Sequence, residues 1–400
     1  MVKFALATAS ALFCICAVDA FAPVAPRVAL PVASPSSSNL LHGCRSIVQN
    51  KAFLRLEDTR LFSTAAASEP EAAILPIIPV TPVVDEEKPA ERGLVAQLKV
   101  ASYFGLWYLF NIAYNIYNKR VLNMYPLPWI VALSQLGIGI FYVVPLWMSN
   151  LRPAPKLAKG AIKPLSTLAF LHMCTHITAV LALGAGAVSF THIVKAAEPV
   201  FTAGFSALLL GQVFAVPVYL SLLPIIAGVG LASLKELSFS WVAFGNAMGS
   251  NTASSLRGIM GKKQMGQPVG ENMSAANLYA VLTIISFAFL APAALLVEGA
   301  KIKPAWDAAI AAGATAKGLS STIGFAGLFY YLYNEVAFLA LSSVNAVTHA
   351  VGNTIKRVVI IVAACIAFKT PMNPLSVAGS TIAILGTLLY SLVKSKYAKK

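Results

Sequence analysis

Two adjacent cations, Lys356 and Arg357, lie within an otherwise apolar stretch that reads "GNTIKRVVIIV". A third cation, Lys195, lies in a second apolar stretch, "VSFTHIVKAAEPV". A strong cation at the centre of a membrane helix costs roughly 2.5–3.5 kcal/mol on insertion scales, so such residues usually have a function. Arg can bind a phosphate group through two parallel hydrogen bonds, and Lys binds it as a point charge. The three residues therefore predict a binding site for an anion of the phosphate type.

A structural explanation for these cations would be an acidic partner within the protein. Lys195 has Glu198 at the (i, i+3) spacing that places two side chains on one face of a helix. Lys356 and Arg357 have no acid within a helical turn of their own segment, and Glu335 is the nearest candidate by sequence. The interpretation that we favour is that a dianionic ligand supplies the missing negative charge.

Other polar side chains in apolar segments could add contacts to such a ligand. His176 and three tyrosines of "LFYYLYNEV" could donate hydrogen bonds without adding charge. The tyrosines are Tyr330, Tyr331 and Tyr333. Thr178 and Arg257 are further candidates, although Arg257 lies near the end of a predicted span, where an interfacial role is the alternative. For the aromatic residues the alternative is packing between helices.

The composition indicates a membrane protein. Of the 400 residues, 58% are hydrophobic and 11% are charged, whereas soluble domains carry about 25% charged residues. Many of the cations behind the net charge of +15 flank apolar segments, as interfacial residues do, so no nucleic-acid partner is predicted. The five cysteines show neither a disulfide framework nor a metal-binding spacing. We predict no metal and no cofactor.

Apolar segments of about 20 residues recur along residues 96–397, and this length crosses a hydrocarbon core of about 30 Å. The sequence therefore predicts an all-α polytopic membrane protein with ten transmembrane helices. The predicted spans are 101–118, 128–149, 164–183, 187–210, 215–234, 239–260, 274–297, 319–342, 345–368 and 374–395.

A weak internal repeat divides these spans into two halves, at about residues 96–236 and 237–397. His192 and His349 each follow a threonine and lie 157 residues apart. Each half holds five predicted spans, and because five is odd, the second half must enter the membrane inverted. Inverted repeats are typical of transporters whose binding site lies near the bilayer midplane, between the two halves.

Five segments resemble the plastid phosphate translocators of the drug/metabolite transporter superfamily: "WYLFNIAYNIYNKRVLNMYPLPW", "AVSFTHIVKAAEPVF", "LFYYLYNEVAF", "VTHAVGNTIKRVVIIV" and "TIAILGTLLYSL". The resemblance covers about residues 100–396. It implies ten helices and strict exchange of inorganic phosphate for a phosphorylated three-, five- or six-carbon compound. The family's phosphate contacts fall on Lys195, Lys356 and Arg357. Its supporting contacts fall on His176 and Tyr333.

The sequence departs from the family pattern at three positions. Ala179 stands where members often have a hydroxyl residue, Tyr331 replaces the usual His, and Ala346 replaces a Pro. The first of these departures weakens any assignment of contacts to the sugar part of a substrate. Segments such as "NLYAVLTIISF" favour the triose-phosphate group, whereas "FKTP" favours the hexose-phosphate and phosphoenolpyruvate groups.

The first 95 residues are typical of targeting and linker sequence. Residues 1–20 have the lysine, the apolar stretch and the small residues of a signal peptide. Residues 21–62 are serine-rich and basic, as in a transit peptide, and residues 63–95 form a Pro/Ala/Glu-rich flexible linker. A signal peptide followed by a transit peptide resembles the bipartite presequence of proteins carried into secondary plastids. A tail without targeting information is the alternative.

These features predict an antiporter that exchanges inorganic phosphate for a phosphorylated C3 compound, triose phosphate or 3-phosphoglycerate. It would act by alternating access in a plastid envelope membrane, with phosphate, phosphorylated small molecules and the lipid bilayer as its partners. The alternatives are exchange of phosphoenolpyruvate or of hexose or pentose phosphates, and nucleotide-sugar transport in the secretory route.

Two further classes are less well supported by the sequence. An ion-coupled exporter would need membrane carboxylates, and only Glu198 and Glu335 lie well inside the predicted spans. A membrane enzyme would need a catalytic constellation, but the sequence contains no paired carboxylates, nucleophile elbow, metal cluster or phosphate-cradling glycine loop. We therefore predict that the protein is not an enzyme.

Overall fold

The computed structural model describes residues 94–234, 236, 239–264, 269–344, 346–370 and 372–398. The predicted signal peptide, the predicted transit peptide and residues 63–93 of the predicted linker lie outside the described residues. Within the described ranges the chain is almost entirely helical.

The helices follow one another with short connections. The first seven described helices are α1 (Leu94–Met124), α2 (Pro128–Met148), α3 (Ile162–Ala185), α4 (Val188–Val194), α5 (Glu198–Leu210), α6 (Val216–Leu220) and α7 (Leu223–Leu234). The next six are α8 (Trp241–Gln264), α9 (Ala275–Glu298), α10 (Ile302–Ala311), α11 (Ala316–Leu341), α12 (Ala346–Phe368) and α13 (Pro374–Ala398). Two 3-10 turns cover Lys195–Ala197 and Gly299–Lys301, and two short antiparallel strands pair, β1 (Lys156–Leu157) with β2 (Gly270–Glu271).

Eight helical segments of the described chain are long and apolar enough to cross a membrane. They are Pro128–Met148, Ile162–Ala185, Val188–Leu210, Val216–Leu234, Ala275–Ala311, Ala316–Leu341, Thr348–Phe368 and Pro374–Tyr397. Helices α1 and α8 are 31 and 24 residues long, but they carry more polar side chains. Buried examples are Asn111, Asn115 and Asn118 on α1, and Ser250 and Asn251 on α8. The prediction of a mostly helical, polytopic membrane protein is confirmed.

Helix α1 is longer at both ends than the first predicted span, 101–118. Its polar C-terminal part is paired within the fold, because the Gln135 side chain donates a hydrogen bond to Asn118 Oδ1 at 2.7 Å. The Lys119 ammonium donates to the carbonyls of Leu183 and Gly186, at 2.8 and 2.9 Å. Since these groups have partners on α2, on α3 and directly after α3, the helix continues past the end of its apolar sequence.

The predicted fourth span is interrupted at one of its candidate site residues. Helix α4 ends at Val194, a 3-10 turn follows, and α5 begins at Glu198 with Pro199 in its first turn. Pro199 has no N–H to donate to the carbonyl four residues earlier, so the α-helical hydrogen-bond ladder cannot continue there. The Glu198 N–H bonds the Lys195 carbonyl instead, which is the three-residue spacing of a 3-10 turn.

Three long helix pairs bring distant parts of the chain together: α1 with α11, α3 with α8, and α7 with α13. The backbones of α7 and α13 approach each other especially closely, because each helix presents a glycine to the other. A Cβ added at Gly379 would lie 2.5 Å from the Ala232 nitrogen, and one added at Gly228 would strike the backbone of Ala383. Small residues allow helix backbones to approach closely in membranes. We refer to these four residues as the glycine seam.

Aromatic side chains fill the contact between α1 and α11. Tyr114 packs against Tyr330 and Tyr333, with ring centroids 5.4 and 5.2 Å apart. Tyr117 packs in the same way against Phe329, at 5.7 Å. This large buried aromatic layer fixes the position of α11 and of the tyrosines that the sequence predicts as site residues.

Candidate functional site

The basic residues predicted from the sequence come together where α5, α8 and α12 meet. Arg357 on α12 places its Nη2 3.2 Å from Glu198 Oε2 on α5. Ser254 on α8 donates a hydrogen bond to the other carboxylate oxygen of Glu198 at 2.6 Å. We refer to Lys195, Lys356, Arg357 and Glu198 as the basic cluster.

Glu335 is not the acidic partner of Arg357, so the candidate suggested by nearness in sequence is wrong. Arg357 does have an acidic partner within the protein, but this partner is Glu198. The Glu335 carboxylate forms a bidentate pair with Arg152, with distances of 2.5 Å to Nη2 and 3.1 Å to Nη1. Both side chains are buried. Arg152 follows α2, which packs beside α11, so the order of helix packing gives Glu335 a different cation.

Lys195 is also paired differently from the (i, i+3) expectation. Its ammonium donates to Ser250 Oγ at 2.5 Å, and Ser250 in turn donates to the Thr175 carbonyl at 3.0 Å. Among the described residues no carboxylate forms an ion pair with Lys195. The reason is that the Glu198 carboxylate is turned towards Arg357 and is engaged there.

Lys356 packs against an aromatic ring. Its Nζ lies 4.4 Å from the centroid of the Trp107 indole on α1. In the described part of the chain this ammonium has no carboxylate partner. A cation over an indole face is attracted by the ring quadrupole, but its charge is not neutralised.

The charges of the basic cluster do not cancel. Lys195, Lys356, Arg357 and Glu198 lie within electrostatic range of one another. By formal charge, the three cations and one carboxylate of the cluster leave two net positive charges between apolar helices, and Arg257 lies within electrostatic range of Lys195 and Glu198 as a further cation. A bound dianion would balance this charge, whereas a neutral or cationic ligand would not.

A second polar group lies between α3, α8 and α11. The His176 ring packs on Tyr330 with centroids 4.0 Å apart, and His176 Nε2 lies 3.2 Å from the Ala132 carbonyl. Arg257 on α8 points inwards, because its Nη1 lies 2.7 Å from Nδ1 of the buried His172. The interfacial alternative for Arg257 therefore does not describe its guanidinium group.

His172 is a residue that the sequence reasoning missed. Arg257 has only donors, so His172 Nδ1 must accept, and the ring proton then lies on Nε2, 3.4 Å from the Tyr330 hydroxyl. The sequence contained a usable signal, because His172 precedes His176 by four residues and such a pair shares one face of a helix.

Neither Tyr331 nor Thr178 has a hydroxyl that the described structure pairs with the basic cluster. Tyr331 is fully buried and packs against Tyr142 and Tyr279, with ring centroids 5.2 and 5.1 Å away. Tyr333 is two residues further along α11 and therefore projects from a different face. Thr178 donates to the carbonyl of residue 174 on its own helix and packs near Gly249 on α8. Its hydroxyl is thus already used by the backbone.

The described residues contain no group of three or more His, Cys, Asp or Glu side chains that could hold a metal ion. The polar atoms of the site are instead mainly donors, from two lysines, two arginines and several neutral side chains. Such a set suits an anion that offers several acceptor oxygens.

Comparison with known proteins places these residues in a family context. A xylulose 5-phosphate/phosphate translocator of Arabidopsis thaliana is 40% identical over 315 residues, which are 79% of this chain and 74% of the relative. A phosphoenolpyruvate/phosphate translocator of the same plant is 41% identical over 309 residues, 77% of this chain and 80% of the relative. A triose phosphate/phosphate translocator of Brassica oleracea var. botrytis is 36% identical over 337 residues, 84% and 79% of the two chains.

The match extends to the family as a whole. Residues 98–391 match the Triose-phosphate Transporter family, a range that begins near the start of α1 and ends within α13. It includes all four residues of the basic cluster and the second polar group. The chain therefore belongs to the Triose-phosphate Transporter family.

Proposed function

We propose that this protein is an antiporter that exchanges inorganic phosphate for a phosphorylated C3 compound across a plastid envelope membrane. The observation that carries the proposal is the uncancelled charge of the basic cluster. Two net positive charges match a phosphate monoester, which carries a charge of about −1.5 to −2 at pH 7. Family membership and the names of the relatives, all plastid phosphate translocators, support the same substrate class.

The proposed contacts divide the substrate into two parts. Lys195, Lys356 and Arg357 bind the phosphate group, which is common to both exchanged substrates. His176, Tyr333 and Arg257 face the remaining part of the organic substrate. Triose phosphate and 3-phosphoglycerate are the proposed organic substrates, and phosphoenolpyruvate, pentose phosphates and hexose phosphates are the alternatives within the family.

The proposed architecture is ten transmembrane helices in two inverted repeats, about residues 96–236 and 237–397. Helices α1 and α8 complete the set of ten, and the segments α4–α5 and α6–α7 each cross once. The helix pairs support the repeat. If the halves correspond, α1 matches α8 and α3 matches α11, so the α1–α11 pair is equivalent to the α8–α3 pair. In the same way α7 matches α13, and these two helices pair with each other. Because ten is even, both ends of the domain are expected on the same face, which tags at residue 93 and after residue 398 can test.

The charge also gives a reason for obligatory exchange by alternating access. An unoccupied basic cluster would have to pass through an occluded, poorly solvated state with its charge uncompensated, which is unfavourable. A bound phosphate group neutralises the cluster and lowers this barrier. Only the loaded carrier then changes its facing direction at a useful rate.

Exchange in proteoliposomes tests the site. Wild-type protein in vesicles loaded with phosphate should take up labelled phosphate, whereas Lys356→Ala and Arg357→Ala should abolish uptake. Lys303→Ala, an exposed lysine outside the site, is the matched control and should exchange normally. A cooperative thermal transition in detergent shows that a variant is folded; the midpoint of Arg357→Ala is expected to be lower, because Glu198 loses its partner. Normal exchange by either site variant would refute the assignment.

Counter-exchange against a panel of external substrates identifies the organic partner. Triose phosphate and 3-phosphoglycerate are expected to drive phosphate release faster than phosphoenolpyruvate or hexose phosphates. A nucleotide sugar should drive none. Uphill uptake into vesicles without internal phosphate would instead indicate an ion-coupled carrier.

A further inference from the structure

Trp107 on α1 holds the Lys356 ammonium against its indole ring. The Lys356 Nζ lies 4.4 Å from the ring centroid, and Trp107 is only 2% exposed. His349 stacks on the same indole, with 5.1 Å between ring centroids and 17° between the planes. His349 and Lys356 are seven residues, or about 10.5 Å, apart along α12. These distances fit an indole held between the imidazole and the ammonium.

Hydrogen bonding does not explain why this indole is placed here. Trp107 Nε1 and His349 Nδ1 are both buried without a hydrogen-bond partner in the described structure. A buried indole N–H usually finds an acceptor. The attraction between the ring face and Lys356 is therefore the polar interaction that the structure gives to Trp107.

The three cations of the basic cluster differ in their partners. Arg357 has the Glu198 carboxylate, and Lys195 has the Ser250 hydroxyl. Lys356 has the indole of Trp107. An indole face binds an ammonium less strongly than a phosphate oxygen does, because phosphate forms charge-assisted hydrogen bonds.

We infer that Trp107 is an alternative partner of Lys356 that competes with the anionic substrate for the ammonium group. The inference rests on the proposed function, in which Lys356 binds the phosphate group. When a substrate draws Lys356 away from the indole, the protein loses the cation–π contact. Part of the intrinsic affinity for the substrate is therefore lost. Trp107 thereby weakens binding and helps the carrier to release its substrate.

Phosphate titration of the purified protein by calorimetry tests this role. Trp107→Leu removes the ring and should tighten phosphate binding by about 2- to 30-fold, the range expected for loss of a competing cation–π contact. Trp107→Phe keeps an aromatic ring with a weaker quadrupole, so it should tighten binding less. Phe110→Leu, a buried aromatic residue on the same helix that packs on Phe329, is the matched control and should leave the affinity unchanged.

Indole fluorescence provides a second readout that a packing role would not change. Phosphate should alter the wild-type emission as Lys356 leaves the ring, and this change should be absent in Trp107→Phe. Phosphate affinity that is unchanged or weaker in both Trp107 variants, each with a cooperative thermal transition, would overturn the inference. If Trp107→Leu does not fold, Trp107→Phe alone decides. Failure of the wild type to bind phosphate at all would instead refute the proposed function.

Discussion

Glu198 and Arg357 form an ion pair that joins α5 to α12, with 3.2 Å between Oε2 and Nη2. The Arg357 side chain is 7% exposed, whereas that of Glu198 is 32% exposed. The carboxylate thus holds a buried guanidinium in place and reduces the positive charge of the basic cluster without cancelling it. Removing one partner of a buried pair leaves an uncompensated charge, which is strongly destabilising.

Glu198→Gln is expected to lower the thermal midpoint by several degrees. It should also make the rise in thermal midpoint on addition of phosphate larger than in the wild type. The reason is that Arg357 loses its counter-charge and the cluster becomes more positive, so a dianion stabilises it more. Thermal unfolding in detergent, with and without phosphate, measures both effects. Asp307→Asn removes an exposed acid paired with Lys303 and serves as the control. If phosphate raised the thermal midpoint of Glu198→Gln by the same amount as that of the wild type, this role of Glu198 would be contradicted.

Charge reversal tests the pair between Arg152 and Glu335. Arg152→Glu or Glu335→Arg alone should destabilise the protein by about 3–5 kcal/mol, because each leaves like charges buried together. The double exchange should recover a large part of the loss. Lys156→Glu, in an exposed pair with Glu271, is the matched control and should have little effect. A double variant no more stable than the single variants would show that the two groups do not depend on each other.

The glycine seam between α7 and α13 is expected not to tolerate larger residues. Gly228→Ala or Gly379→Ala places a methyl group against the facing backbone, and overpacking of this kind costs about 1–3 kcal/mol. Gly230→Ala is the control on the same helix, because a Cβ there meets no described atom within 4 Å. Thermal midpoints in detergent should fall for the first two variants and not for the third. Equal behaviour of all three would mean that the seam is not tightly packed.

His172 is expected to position Arg257. His172→Leu removes the acceptor at 2.7 Å and should slow exchange of the organic phosphate roughly tenfold or more, as loss of a hydrogen bond to a charged group implies. His172→Asn retains an acceptor near Nδ1 and should keep most of the activity. Exchange of phosphate for phosphate, which does not need Arg257 in the proposed division of contacts, should be less affected. Equal activity of the Leu and Asn variants would rule out the positioning role.

The positions of the long helices could be predicted from the sequence because a hydrocarbon core imposes one length on every apolar segment. The predicted start at residue 128 and the predicted ends at 210, 234 and 368 coincide with those of the structure. The C-terminal end of α1 could not be predicted, because its polar residues are paired by groups distant in the chain. The 3-10 turn after Val194 was signalled only by Pro199.

The residue types of the site were easier to predict than their partners. Apolar surroundings make Lys195, Lys356 and Arg357 stand out in one sequence. Which acid faces which cation depends on how the helices pack, and nearness in sequence suggested Glu335 where the structure has Glu198. Trp107 gave no signal, since an aromatic residue in an apolar segment is ordinary until a cation is found above its ring.

The polar character of α1 and α8 has a consequence for biogenesis. Within the described chain neither helix is among the eight segments that are long and apolar enough to cross a membrane, yet each packs along one of these segments, α11 or α3. The partner of α8, helix α3, precedes it in the chain. The partner of α1, helix α11, is synthesised roughly two hundred residues after α1. We therefore expect α1 to be held firmly in the membrane only after α11 has been made, so that α1 of a chain truncated before Ala316 is more readily cleaved by added protease than α1 of the full chain.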